Sequence, residues 1–361
     1  MTTFTYDGLP GRIVFGAGAT RTRLPGELDL LDAQRILLIA TDTEGALATA
    51  LCAPFADRVA ATFSQVRPHV PVEVAELARK AATEAEADLV LSVGGGSTTG
   101  TAKAVALTTG LPLVAVPTTY AGSEVTPVWG MTDRGRKTTG TDRRVLPKTV
   151  VYDPDLTASL PVELAVASAL NAVAHCVEAF WAPRRSPVSS AVAEDGIRHL
   201  VAGLQAIEAS ATDAADAAAR SDLLLGAYLA GSAFAGAGSG LHHKICHVLG
   251  GAFDLPHAQT HAIVLPYVLA YNAPHAREAT DRIARALGRT DIVTALRELG
   301  TGLGVPAGLG ELGMTEADID TVVDDITAIA PADNPTPVTG DGVRALLRAA
   351  WAGSDLGETA R

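Results

Sequence analysis

At 361 residues the chain exceeds the usual size of one hydrophobic core, so two domains are expected. A formal net charge of −12 without any basic run argues against nucleic acid or an anionic membrane as partner. Three cysteines, Cys52, Cys176 and Cys246, share no CxxC spacing, which speaks against a disulfide framework or zinc ribbon; no uninterrupted apolar run reaches the roughly 18 to 20 residues of a membrane span.

The first 19 residues lack the basic start and apolar core of a targeting segment, so a cytoplasmic protein is expected. Apolar residues form 48% of the chain and aromatics only 4%, which suits helices packed on a Val- and Leu-rich sheet. Runs at 35–42 (RILLIATD), 60–63 (AATF), 87–96 (ADLVLSVGGG), 111–119 (LPLVAVPTT) and 148–154 (KTVVYDP) predict strands ending in turn or polar residues, with a helix over 70–86. This is the pattern of an α/β domain with a doubly wound, mostly parallel sheet, which binds ligands at the carboxyl ends of its strands.

Three features of that domain point to a dinucleotide. Asp42, at the end of the first of these strands, can accept hydrogen bonds from an adenosine ribose and would repel a 2′-phosphate, favouring NAD over NADP. In SVGGGSTTGTAKA, Gly94, Gly95 and Gly96 let backbone amides approach a phosphate, Ser97, Thr98 and Thr99 add hydroxyls, and a helix N-terminus follows. Lys103 lies on that helix, so the loop is neither a Walker A nor a GxGxxG sequence. The loop PTTYAGSEVTP follows the next strand: Thr118, Thr119 and Ser123 beside Gly122 suit contact with a nucleotide, with Tyr120 available to a substrate or the nicotinamide.

The pattern changes after YDPDLTASLP, so the boundary is placed near residue 155, giving a nucleotide-binding domain over 1–155 and an all-helical substrate domain over 156–361. An active site in the cleft between them is expected. Residues 168–180, SALNAVAHCVEAF, read as helix and put Asn171, His175 and Glu178 on one face at spacings of four and three. Residues 240–268 hold five of the nine histidines: His242, His243, His247, His257 and His261. His243 and His247 share one helical face, as do His257 and His261 if the segment after Pro256 is helical. Such a cluster can bind a metal, bind carboxylates or move protons. Asn171 brings no charge to offset a divalent cation, where an aspartate would.

Together these segments, with GRIVFGAGA, GRKTTGTDRRVLPKTVVYDPDLTASLP and NPTPVT, resemble the iron-containing alcohol dehydrogenase family over nearly the whole chain, and within it the maleylacetate reductases. The resemblance implies a dehydroquinate synthase-like architecture, a homodimer, and NADH or NADPH as cofactor. It implies reduction of the carbon–carbon double bond of maleylacetate to 3-oxoadipate in aromatic-compound breakdown. Metal-binding relatives use an aspartate and three histidines, matched here by Asn171, His175, His243 and His257, and carry an aspartate where this chain has Gly100. No tightly bound metal is therefore expected. In its place His243, His247 or their neighbours would stabilise and protonate an enolate, with Tyr120 also counted among the catalytic residues, while Asn171, His175, Lys244, His257 and Tyr120 would meet a small dicarboxylate. Lys137 is assigned to the nicotinamide ribose or the substrate. Competing readings are a metal-dependent alcohol or polyol dehydrogenase of the same family, a dehydroquinate synthase-like lyase, and a nucleotide-binding protein without activity.

Overall fold

The computed structural model describes residues 4–9, 11–134, 136–209 and 213–354. The chain forms two compact units, Leu9–Leu160, and Pro161–Arg361 together with Met1–Gly8. The break thus falls at residue 160, five beyond the expected 155, and the leading segment joins the second unit.

In the first unit the strands are β1 (Arg12–Phe15), β2 (Ile36–Ile39), β3 (Val59–Phe63), β4 (Leu89–Gly94), β5 (Leu113–Pro117), β6 (Val128–Asp133), β7 (Arg136–Thr141) and β8 (Thr149–Tyr152). The helices are α1 (Ala19–Thr22), α2 (Leu24–Asp29), α3 (Gly45–Cys52), α4 (Val72–Glu84) and α5 (Gly96–Thr109). Six strands make a parallel sheet in the order β1-β8-β5-β4-β2-β3, and β6 and β7 pair as a separate antiparallel hairpin. The strands β2, β4, β5 and β8 are buried along their whole length, which is why they read as unbroken apolar runs. The two-residue period then sorts their side chains. Ile36, Leu38, Leu89, Leu91 and Val93 meet Leu24, Leu28, Ala48 and Leu51 on one face, whereas Leu37, Ile39 and Val90 meet Val74, Ala78, Ala102 and Val105 on the other.

Strand β1 and the hairpin were not among the expected strands. β1 is a four-residue edge strand with one buried side chain, and the hairpin is almost entirely exposed or half-buried, so neither shows a core pattern. The chain leaves β2 toward β3 in one direction and runs from β4 through β5 to β8 in the other. The switch point lies between the carboxyl ends of β2 and β4, the position at which such sheets take ligands.

From Pro161 on, the described residues are helical, as the periodicity indicates: α6 (Val162–Ala179), α7 (Pro187–Ala209), α8 (Asp213–Ala237), α9 (Leu241–Phe253), α10 (His257–Asn272), α11 (Arg277–Leu287), α12 (Ile292–Gly302), α13 (Glu316–Ile329) and α14 (Gly340–Ala352). Helix α6 is apolar and long enough to cross a membrane, but 78% of it is buried in the protein, the state of a core helix. The core gathers Leu241, Ile245 and Leu249 from α9, Ile263, Val264 and Val268 from α10, Ile319 and Val323 from α13, and Leu347 from α14. Between α8 and α9 the chain bends by 100°.

At the end of β8 the buried carboxylate of Asp153 accepts from Gly18 N at 2.9 Å, Thr20 N at 3.0 Å and Thr20 Oγ1 at 2.5 Å, holding α1 against the sheet. Replacement leaves those donors buried without a partner, so Asp153→Ala should cost about 3 kcal/mol. Chemical denaturation of the variant beside wild type checks this; an unchanged midpoint would show that the contact is not stabilising.

Candidate active site

The first unit presents a glycine-lined cradle at its switch point. Gly94 ends β4 with φ 153°, and a Cβ there would lie 2.5 Å from both Glu44 Oε2 and Thr98 Oγ1. Only glycine fits. Gly95 is the N-cap of α5, where a Cβ would sit 3.0 Å from Thr119 Cγ2, and Gly96 opens the helix. Thr118 ties the second loop to the first: its N donates to Gly94 O at 3.2 Å and its Oγ1 to Glu44 Oε1 at 2.7 Å. Ser97 is half-buried, Thr98 and Tyr120 are buried, and Ser123 Oγ is buried without a partner. Free amides at a helix N-terminus and small hydroxyls are groups that suit a phosphate, and the Glu44 carboxylate stands beside them.

Asp42 is exposed in the turn beyond β2, which stops at Ile39. Glu44, two residues on, has the fixed position, since Thr41 Oγ1 also donates to it at 2.9 Å. Its only trace in the sequence is nearness to Asp42. Lys137 stands on β7 with Cε 3.3 Å from the point where Gly130 would carry a Cβ; much of the side chain is exposed, yet enclosure of the ammonium lowers its pKa. At Gly100 a Cβ would meet Val70 Cγ2 at 2.8 Å.

In the helical unit, α6, α9 and α10 bring the predicted histidines together around a carboxylate. Glu178 is fully buried and accepts three hydrogen bonds, from Gly240 N at 2.9 Å, His242 N at 2.6 Å and His243 Nδ1 at 2.5 Å. The first two are free amides at the start of α9, where a carboxylate also meets the positive end of the helix dipole. Gly240 permits the approach, for a Cβ there would be 2.6 Å from Glu178 Oε1. With Nδ1 engaged, His243 offers Nε2 to a ligand, and this buried atom has no protein partner. Asn171 Oδ1 and His175 Nδ1 are orphaned in the same way.

The rings of His175 and His243 stack at 4.9 Å, and Phe234 from α8 lies 4.7 Å from each. Behind them His242 Nε2 and His261 Nδ1 share a hydrogen bond of 2.9 Å. Burial, followed by the neighbouring imidazoles, pushes His175, His243 and His261 well below the ordinary histidine range, and burial takes His242 to about 3. Burial likewise raises Glu178, so the cluster resists holding charge. His247 and His257 are exposed, their rings 6.3 Å apart, and Lys244 is half-buried on α9. Sequence reasoning placed Glu178 on the face of Asn171 and His175 but gave it no role. It gave none to Phe234 either, an apolar ring in an Ala-rich helix that reads as core.

Two family profiles match the chain, iron-containing alcohol dehydrogenase over residues 10–154 and the C-terminal domain of the Fe-containing alcohol dehydrogenase family over 165–351. The chain belongs to the iron-containing alcohol dehydrogenase family. It is 48% identical to a maleylacetate reductase from Sphingobium indicum over 351 residues, which cover 97% of this chain and 98% of that one. Among solved structures, an iron-containing alcohol dehydrogenase from Corynebacterium glutamicum superposes with a TM-score of 0.95 at 47% identity, covering 99% of both chains. A maleylacetate reductase from a Rhizobium species gives 0.92 at 41% identity, covering 98% of this chain and 99% of that one. As a member of this family the chain is an oxidoreductase dependent on a nicotinamide cofactor.

The family name implies iron, and the donor set fits it poorly. The positions matched to the family's ligands, Asn171, His175, His243 and His257, supply an amide and three imidazoles and no anion. The carboxylate among them, Glu178, is already engaged by three donors. Among the described residues, the trio of candidate ligand atoms within 4.8 Å of one another belongs to His242, His243 and His261, and two of these rings are bonded to each other.

Because Glu178 orients His243, Glu178→Gln should lower turnover about 100-fold with the helices retained. Steady-state rates with far-ultraviolet circular dichroism check this. Full activity in a folded variant would mean that the carboxylate only caps α9.

Proposed function

We propose that this protein reduces the carbon–carbon double bond of maleylacetate, giving 3-oxoadipate, with NADH or NADPH as reductant and without a tightly held catalytic metal. The observation that carries the reading is that Asn171, His175 and His243 each have a buried polar atom without a protein partner, while the nearby carboxylate, Glu178, is taken up by three donors. Such a pocket suits a dianion, because a carboxylate at position 171 would repel it. Maleylacetate reductases from several bacteria are 41–48% identical to the chain over 97–98% of its length, which supports the same substrate.

The nicotinamide, when bound, supplies a hydride to the alkene carbon beta to the ketone. The glycine cradle and Thr118, Thr119 and Ser123 hold the cofactor, and the carboxylate of Asp42 favours the form without a 2′-phosphate. As charge builds on the ketone oxygen, His243 offers Nε2–H, its other nitrogen held by Glu178. Burial holds His243 well below the ordinary histidine range, so it takes up a proton from solvent on binding the substrate, whose two negative charges oppose the effect of burial. His247, one turn along α9 and exposed, is our candidate to protonate the carbon next to the ketone. His175, Asn171, Lys244 and His257 bind the carboxylates.

A metal-dependent alcohol dehydrogenase of the same family is the second reading, because a carboxylate bonded to Nδ1 of a histidine also suits a metal ligand. With NADH and maleylacetate the purified enzyme should show substrate-dependent loss of nicotinamide absorbance that survives thorough chelation. Loss of activity on chelation, restored by iron or zinc, would favour the second reading. Asn171→Asp should take up more metal in elemental analysis and lose about 10-fold in kcat/KM for the dicarboxylate, a cost near 1.4 kcal/mol. A variant that gains no metal and keeps full activity would refute the charge argument.

A further inference from the structure

Lys103 is 1% exposed, on α5 two turns beyond the glycine cradle. Its Nζ donates to Ser123 O at 2.5 Å, Thr126 O at 2.8 Å and Val128 O at 2.8 Å, with Thr126 Oγ1 at 3.2 Å. Three carbonyls answer the three N–H bonds of an ammonium, and all of them belong to one stretch of chain following β5. Thr126 Oγ1 donates its own hydrogen to Ser123 O at 3.0 Å and accepts from Val128 N at 3.4 Å, which leaves a second lone pair to face the ammonium.

Burying an ammonium costs several kcal/mol before its contacts are counted, and an apolar side chain of similar size would fill a core position more cheaply. Glu124 offsets part of that cost. It is 2% exposed, accepts from Tyr152 Oη at 2.6 Å, and its charge opposes the burial that lowers the Lys103 pKa to about 7. A purely apolar contact could not do what the ammonium does, which is to tie together the carbonyls of a short 3-10 turn at Ser123, of Thr126 beyond it and of Val128 at the start of β6. The same segment contains Ser123, whose buried hydroxyl lacks a protein partner.

We propose that Lys103 is a positioning residue for the nicotinamide cofactor: by holding the carbonyls of Ser123, Thr126 and Val128, it sets the 117–128 loop so that the Ser123 hydroxyl and the Thr118–Thr119 backbone meet the cofactor. This rests on the reading of that loop as part of the cofactor site. One helix then performs two tasks, presenting amides at its N-terminus and clamping the second loop from beneath.

The test measures cofactor and substrate constants separately in Lys103→Met, Thr126→Val and Gly94→Ala, with NADH binding followed by fluorescence. Lys103→Met should raise the cofactor KM about 10-fold or more, while the maleylacetate KM and kcat stay within about threefold. Thr126→Val, which removes one hydroxyl at constant shape, should raise the cofactor KM about threefold, and it decides the matter if Lys103→Met does not fold. Lys103→Ala should regain cofactor affinity on addition of methylammonium, a rescue that general loosening of the core would not give. Wild-type cofactor affinity in both Lys103→Met and Thr126→Val would overturn the proposal. If Gly94→Ala weakens cofactor binding in that case, the cofactor site stands and only the role of Lys103 fails; if it too has no effect, the reading of the site fails with it.

Discussion

Glu178 has no exposed surface, and a carboxylate in that position must find donors inside the protein or give up its charge. It finds three: two amides at the start of α9 and the ring of His243. Much of the helical unit follows from that requirement. The α9 N-terminus must approach α6 closely enough to need glycine at position 240, and the 100° bend after α8 delivers it there. His243 then has one nitrogen committed and one left over for chemistry. Mutual fixing of a helix end and an imidazole by one carboxylate gives the site its rigidity.

The rest of the cluster is governed by burial. Imidazoles packed against Phe234 and against each other are held neutral, since each added charge would lie in a dry environment beside other rings. The positions matched to the family's metal ligands supply an amide and three imidazoles, a set with no charge to offset a divalent cation. A dianionic substrate brings the opposite charge, and the same low dielectric that discourages a lone imidazolium strengthens its attraction to such a substrate. Asn171 keeps the shape of a ligand position without its charge, and its Oδ1 is buried without a protein partner.

Much of this was legible in the residues themselves. The buried strands appear as apolar runs because both sheet faces are covered, and the glycines at 94–96 appear because backbone must come close to a ligand. The four-residue edge strand β1 and the exposed β6–β7 hairpin escaped notice for the converse reason: without a buried face there is no pattern to read. Tyr120 reads as a free aromatic at a strand end, whereas its ring is almost wholly enclosed. Asp42 drew attention through its place after a strand, yet two threonine hydroxyls fix Glu44 instead.

By itself the sequence determined the α/β and helical halves, the glycine-rich turn, the clustering of histidines and the neutral residue at 171, because each depends on local periodicity or on residue type. Only the tertiary structure decided which polar atoms are paired. Glu178 and His243 stand 65 positions apart, Lys103 reaches across more than 20 to the loop it clamps, and Thr118 meets Glu44 over 74. Hydrogen-bond partnership is a matter of distance and direction between atoms on separate elements, and spacing along the chain carries no record of it.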